Sequence, residues 1–197
     1  MRKIHLFVVC MTVVSLLLLT GAAMAEEKPV VQDTLKVDYF SNANTSGAPD
    51  GTVHIVNPGT TYSEICADIY VFDDSQEMSE CCSCGLSPDS IRTLSVNTDL
   101  TSNPLTGKTL THGAIKIVSA AYAPKAPFKC SNPSNIVPTP AVNAWATHIQ
   151  TSNFTITETQ SQAATLSAGE VSALDTQCAS IINVGSGAGI CTCGTGD

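Results

Sequence analysis

Glu64-Ile-Cys-Ala-Asp-Ile-Tyr-Val-Phe-Asp-Asp-Ser-Gln-Glu-Met-Ser-Glu-Cys-Cys-Ser-Cys84 opens as the clearest strand in the chain and closes as its densest cysteine cluster. Side chains alternate across a strand. Over Ile65–Phe72, Ile65, Ala67, Ile69 and Val71 therefore share one face, and Cys66, Asp68, Tyr70 and Phe72 share the other. Both faces carry large apolar groups, which places this strand inside a sheet partly covered on both sides. Asp73-Asp74-Ser75 then turns the chain into Cys81, Cys82 and Cys84.

Shorter strand-like segments flank this one. Leu35–Phe40 and Thr52–Val56 precede it, and Ile91–Val96, Ala114–Ser119, Val142–Gln150 and Asn153–Glu158 follow. Asp50-Gly51, Asn57-Pro58-Gly59 and Asn103-Pro104 separate them; proline removes a ladder donor there and glycine supplies positive φ. One helix stands out. Ser167 and Glu170 have capping-box spacing, Val171, Leu174, Cys178, Ile181 and Ile182 recur at helical spacing, and Gly185 is a stop signal. The pattern predicts a mainly β fold: a disulfide-stapled β-sandwich, or a partly open barrel. One C-terminal α-helix, over residues 167–184, should lie across an open face or edge.

The N-terminus carries an address. Arg2 and Lys3 precede an apolar run from Leu6 to Leu19, and Ala23-Met24-Ala25 fits a small-x-small cleavage site. Residues 1–25 read as a signal peptide, and residues 26–197 as a single secreted β-rich domain ending in a cysteine-rich tail. Of 197 residues, the mature chain would keep 172, enough for a real core. Loss of Arg2 and Lys3 leaves seven basic against 17 acidic residues. A strongly acidic protein is a poor partner for nucleic acid and for an anionic membrane surface. The expected location is secreted or periplasmic.

Cys10 leaves with the signal. Cys66, Cys81, Cys82, Cys84, Cys130, Cys178, Cys191 and Cys193 remain. An even number of cysteines in an exported chain reads as a disulfide framework. Zinc fits poorly, because the cluster's spacings of zero and one residue are tighter than a zinc knuckle uses. Adjacent cysteines rarely bridge each other, so Cys81, Cys82 and Cys84 need outside partners. The glycine-rich Gly185–Gly189 segment frees Cys191 and Cys193 to fold back onto them. Cys178, on the apolar helix face, either reaches the sheet or stays a buried thiol.

Other candidate sites are sparser. Asp73, Asp74, Glu77 and Glu80 offer hard oxygens suited to calcium, although the EF-hand spacing is missing; the alternative is a solvated acidic turn. His54, His112 and His148 lie in no recognisable catalytic context, and no Gly-x-Ser-x-Gly elbow occurs. His112 reads as a turn residue between Thr111 and Gly113, and His148 as a strand residue near Trp145. The proline-punctuated stretch 121–141 is the longest irregular segment and the best place for a functional loop.

These observations favour an exported, non-enzymatic structural, adhesive or matrix and surface protein. A secreted hydrolase with its site in the 121–141 region is the second reading, and a calcium- or small-ligand-binding module the third. Apart from calcium, no cofactor is expected. Self-association through a sheet edge is a further expectation: Leu35–Phe40 could pair with a neighbour, unless it is simply the first strand of its own sheet. N-terminal sequencing of the exported protein should begin at Glu26. A reading that begins at Met1 would overturn the leader.

Overall fold

The computed structural model describes residues 33–121, 130, 132–150 and 153–194. The signal peptide and the arm Glu26–Gln32 lie outside the described residues, as do residues 122–129 of the irregular stretch and Thr151-Ser152.

The described residues form nine strands and one α-helix: β1 (Leu35–Ser41), β2 (Thr52–Asn57), β3 (Ile65–Asp73), β4 (Met78–Leu86), β5 (Ser90–Ser95), β6 (His112–Ala121), β7 (Asn143–Ile149), β8 (Ile156–Gln160), β9 (Gln162–Ala164) and α1 (Ala168–Val184). They build two antiparallel sheets. The first has the order β4-β3-β6-β1-β9 and the second β5-β2-β7-β8. The fold is therefore an unclosed, two-sheet β arrangement with a C-terminal helix, as the alternation and the capping signal predict.

β3 pairs along its whole length, with β4 on one side and β6 on the other. Its two faces serve two cores. Ile65, Ala67, Ile69 and Val71 pack inward with Val53, Ile55, Leu94, Ile115 and Ile117 between the sheets. Cys66 and Tyr70 face outward and pack with Leu35, Val118, Leu174, Cys178 and Ile181 beneath α1. Burying side chains of this size stabilises by about 1.5–3 kcal/mol each. The approach of β6 to β1 and β3 is tight at Gly113, where an added Cβ would lie 2.1 Å from the Phe72 carbonyl oxygen. No side chain fits there.

The helix is capped at both ends. The Ser167 hydroxyl accepts from the Glu170 amide at 3.1 Å, and Gly185 closes the last turn with φ 68°. The Glu170 carboxylate does not reach back to its own cap. It accepts from Lys116 Nζ on β6 at 2.6 Å and ties the first turn to the sheet.

Three elements differ from the sequence expectation. The cysteine cluster lies within an edge strand, β4, because small apolar cysteines fit the buried positions opposite β3. β6 is longer than its apolar run, so His112 opens a strand and is not in a turn. Val96–Leu100 forms a π-helical turn, capped by the Ser95 hydroxyl accepting from Thr98 N at 2.8 Å.

Alternation along β4 decides the bridges. Cys81 pairs across to Tyr70 and faces the helix, while Cys82 and Cys84 pair across to Ile69 and Ala67 and face inward. Cys81 bonds Cys178 of α1. Cys82 bonds Cys191 and Cys84 bonds Cys193, both in the tail. Cys66 bonds Cys130. The tail then lies along the free edge of β4: Cys81 N donates to Gly189 O at 2.9 Å and Cys191 N to Cys81 O at 3.3 Å. Farther on, Cys193 O accepts from Arg92 Nη1 on β5 at 2.7 Å. The tail thus joins both sheets on this side.

The Cys81–Cys178 bridge closes a loop of 97 residues. Closing a loop of that size restricts the unfolded chain by about 4–5 kcal/mol on the entropy argument, with measured losses of about 2–5 kcal/mol. Replacing both cysteines with alanine should lower unfolding stability by that amount in urea without reductant. An unchanged midpoint would contradict the bridge's structural role.

Candidate functional site

The four acidic residues of the calcium expectation do not converge. Asp73 Oδ1 accepts from Ser75 N at 2.9 Å and Glu77 N at 3.0 Å, which fixes the β3–β4 turn. Asp74 faces His112 Nε2 at 3.1 Å and Lys108 Nζ at 3.8 Å. Glu80 is 0% exposed, and its Oε1 accepts from Asn103 N at 3.0 Å. Among the described residues, no group of three or more His, Cys, Asp or Glu is placed to hold a metal ion.

The three histidines are also apart in role. His112 is exposed beside Asp74. His148 is 2% exposed, and its Nε2 lies 3.3 Å from Asp38 Oδ1 and 2.7 Å from Thr159 Oγ1. Its ring stacks on Tyr39 with centroids 4.0 Å apart. The Ser161 hydroxyl donates to Asp38 Oδ2 at 2.6 Å. This grouping holds a serine, a histidine and an aspartate, but the hydroxyl points to the carboxylate. In the catalytic arrangement it would point to the imidazole. No nucleophile is activated here. The cluster fastens β1 to β7 instead, and spacing could not reveal it, because Asp38 meets Ser161 only where β1 pairs with β9 and meets His148 only across the sheets.

A second buried group lies between the first sheet and α1. Asp68 is 2% exposed and accepts a short hydrogen bond from Ser83. Burial pushes its carboxyl up to about 7, against the pull of the Ser83 bond and with help from the charge of Asp175. Asp175 Oδ1 accepts from Ile136 N at 3.0 Å, and the Tyr70 hydroxyl donates to Pro133 O at 2.6 Å. Part of the irregular 121–141 stretch is therefore laid over the Asp68 group and is anchored by Cys66–Cys130.

A further grouping is on the outer face of the second sheet. His54 pairs across to Thr93 on one side and to Trp145 on the other, and Trp145 pairs across to Gln160. These four side chains form one row across all four strands. His54, Trp145, Ile91 and Glu158 line an open depression of about 470 Å³. The imidazole of His54 is held by Thr93 Oγ1 at 2.8 Å from Nδ1 and Thr52 Oγ1 at 3.5 Å from Nε2, and Glu158 Oε1 lies 3.7 Å from Nε2. Ile91 is 58% exposed at its rim. Period-two alternation could have placed these side chains on one face, but cross-strand neighbours are fixed only by register.

No family model and no curated protein matches the chain. A solved structure described as the crystal structure of Thermotoga maritima 1070 is similar at 11% identity, covering 66% of this chain and 93% of that one, with a TM-score of 0.40. At that score the likeness carries no argument.

The buried carboxyls make stability depend on pH. Burial lifts Asp68 and Glu80 each to about 7 in the folded protein, from an ordinary range near pH 4 in the unfolded chain. Between about pH 4 and pH 7 the folded state then holds protons that the unfolded state has released, so stability falls as pH rises. The expected loss across this window is on the order of a few kcal/mol. Asp68→Asn should flatten the slope in chemical denaturation. A variant with the native slope would sink this account.

Proposed function

We propose that the protein is an exported, non-enzymatic structural or adhesive component that works outside the reducing interior of the cell. The observation that carries this reading is the bridge pattern. All four disulfides have one end on the β3–β4 hairpin, and the other ends fall on the irregular segment, the helix and the tail. Such cross-linking persists in oxidising compartments and is rare in the cytosol. Among the described residues, no helix is long and apolar enough to cross a membrane.

One observation favours a second reading, a secreted hydrolase. Asp68 has a carboxyl near pH 7, a value suited to general acid catalysis, and part of the 121–141 stretch covers it. At 2% exposure, Asp68 would meet substrate only after that covering segment moved. The first reading requires no such movement.

Cell fractionation with thiol accounting separates the primary reading from a cytosolic role. The protein should appear outside the cytoplasm, with no cysteine alkylated before reduction. Recovery in the cytoplasm with free thiols would overturn the proposal.

A further inference from the structure

The outer faces of the two sheets are treated differently. α1 covers the outer face of the first sheet, where Leu174, Cys178 and Ile181 bury Tyr70 and Val118. No described element packs over the His54 and Trp145 row of the second sheet, which borders an open depression. The chain contains one tryptophan, and it lies on that open face, not in either core.

We infer that this face is a binding site for a neutral saccharide, centred on Trp145. The inference deepens the adhesive reading above by naming a ligand class. Three observations carry it. The row Thr93–His54–Trp145–Gln160 puts an aromatic side chain between polar ones, with neighbours about 4.8 Å apart along the hydrogen-bonding direction. A sugar ring has an apolar C–H face and a rim of hydroxyls, so it needs both an aromatic surface and flanking donors and acceptors. The second observation is pre-organisation: the Thr93 hydroxyl holds the His54 ring at 2.8 Å from Nδ1, which lowers the ordering cost of binding. The third is charge. The chain carries a formal net charge of −8, and Glu158 stands in the depression itself. Anionic ligands such as nucleic acid or phospholipid headgroups are therefore disfavoured; against a cation, the neutral hydroxyl of Thr93 and amide of Gln160 in the same row match a polyhydroxylated ligand. Ile91 at the rim extends the apolar contact without making the face continuously apolar.

A lone tryptophan makes the test direct. The purified, disulfide-intact protein is titrated with soluble cello-, chito-, xylo- and manno-oligosaccharides while tryptophan emission is followed. At least one of the series should give a saturable change. Calorimetry then compares variants with that sugar. Trp145→Ala should weaken binding about tenfold or more, the equivalent of one lost aromatic contact, while Lys108→Gln, which lies outside the depression, should retain it. Trp145 is partly buried between two neighbouring strands, so Trp145→Ala should melt at a lower temperature, and affinities are compared where circular dichroism shows each variant folded. Lys108 is exposed, and its change should leave the melting curve unaltered. Three results would overturn the inference: no saturable response to any series, equal affinity in Trp145→Ala, or an emission shift that follows protein concentration without sugar. The last would mean that a second copy covers the face. Failure of binding leaves the export test untouched, and cytoplasmic recovery leaves the binding result standing, so the two proposals fail separately.

Discussion

Everything in this structure depends on the covalent anchorage of one hairpin. β3 and β4 supply Cys66, Cys81, Cys82 and Cys84, and no bridge lacks an end among them. Two of the closed loops span 109 residues, so these links constrain the unfolded chain over more than half its length. The hairpin can act as the common anchor because β3 is buried on both faces. A bridge on its outer face fixes the helix or the irregular segment, and a bridge on its inward face fixes the tail.

The two open sides of the sheet pair are closed by different chemistry. On the β4 and β5 side, the tail is bonded to β4 by two disulfides and hydrogen-bonded to Arg92 and Asp99. On the β1 and β7 side there is no cysteine. There Ser41 and Asn42 donate to the Ile149 carbonyl, and Asp38, His148 and Ser161 form their buried group. This side is held by directional bonds where the other is held by covalent ones, and within its group His148 Nδ1 is buried without a hydrogen-bond partner. The second sheet is thereby tied to its surroundings at its β5 edge and through β7, the strand that carries Trp145.

Position along the hairpin also divides its acidic residues into two populations. Asp73 and Asp74 remain at the hairpin turn, where they organise amides or face cations. Glu80 and Asp68 occupy regular strand positions and are carried into the interior by the pleat. The same residue type thus fixes a turn in one place and stores a proton in another.

Much of this was legible in the sequence. The alternation of Ile65–Phe72 determined a strand buried on both faces, and the spacing of Ser167, Glu170, Leu174, Cys178 and Gly185 determined the helix and both its ends. These signals are local: period and capping depend on neighbours within one turn or one pleat. The cysteine composition likewise implied cross-linking of the cluster to the tail. Which sulfur met which was decided by tertiary structure, because Cys81 and Cys82 are adjacent in sequence yet fall on opposite faces once β4 is in register with β3. Strand β4 itself, the meeting of Asp38 with His148 and Ser161, and the alignment of Thr93, His54, Trp145 and Gln160 all required pairing between distant segments. Such pairings are set by the summed burial of two sheets and a helix, and no single stretch of chain contains that information.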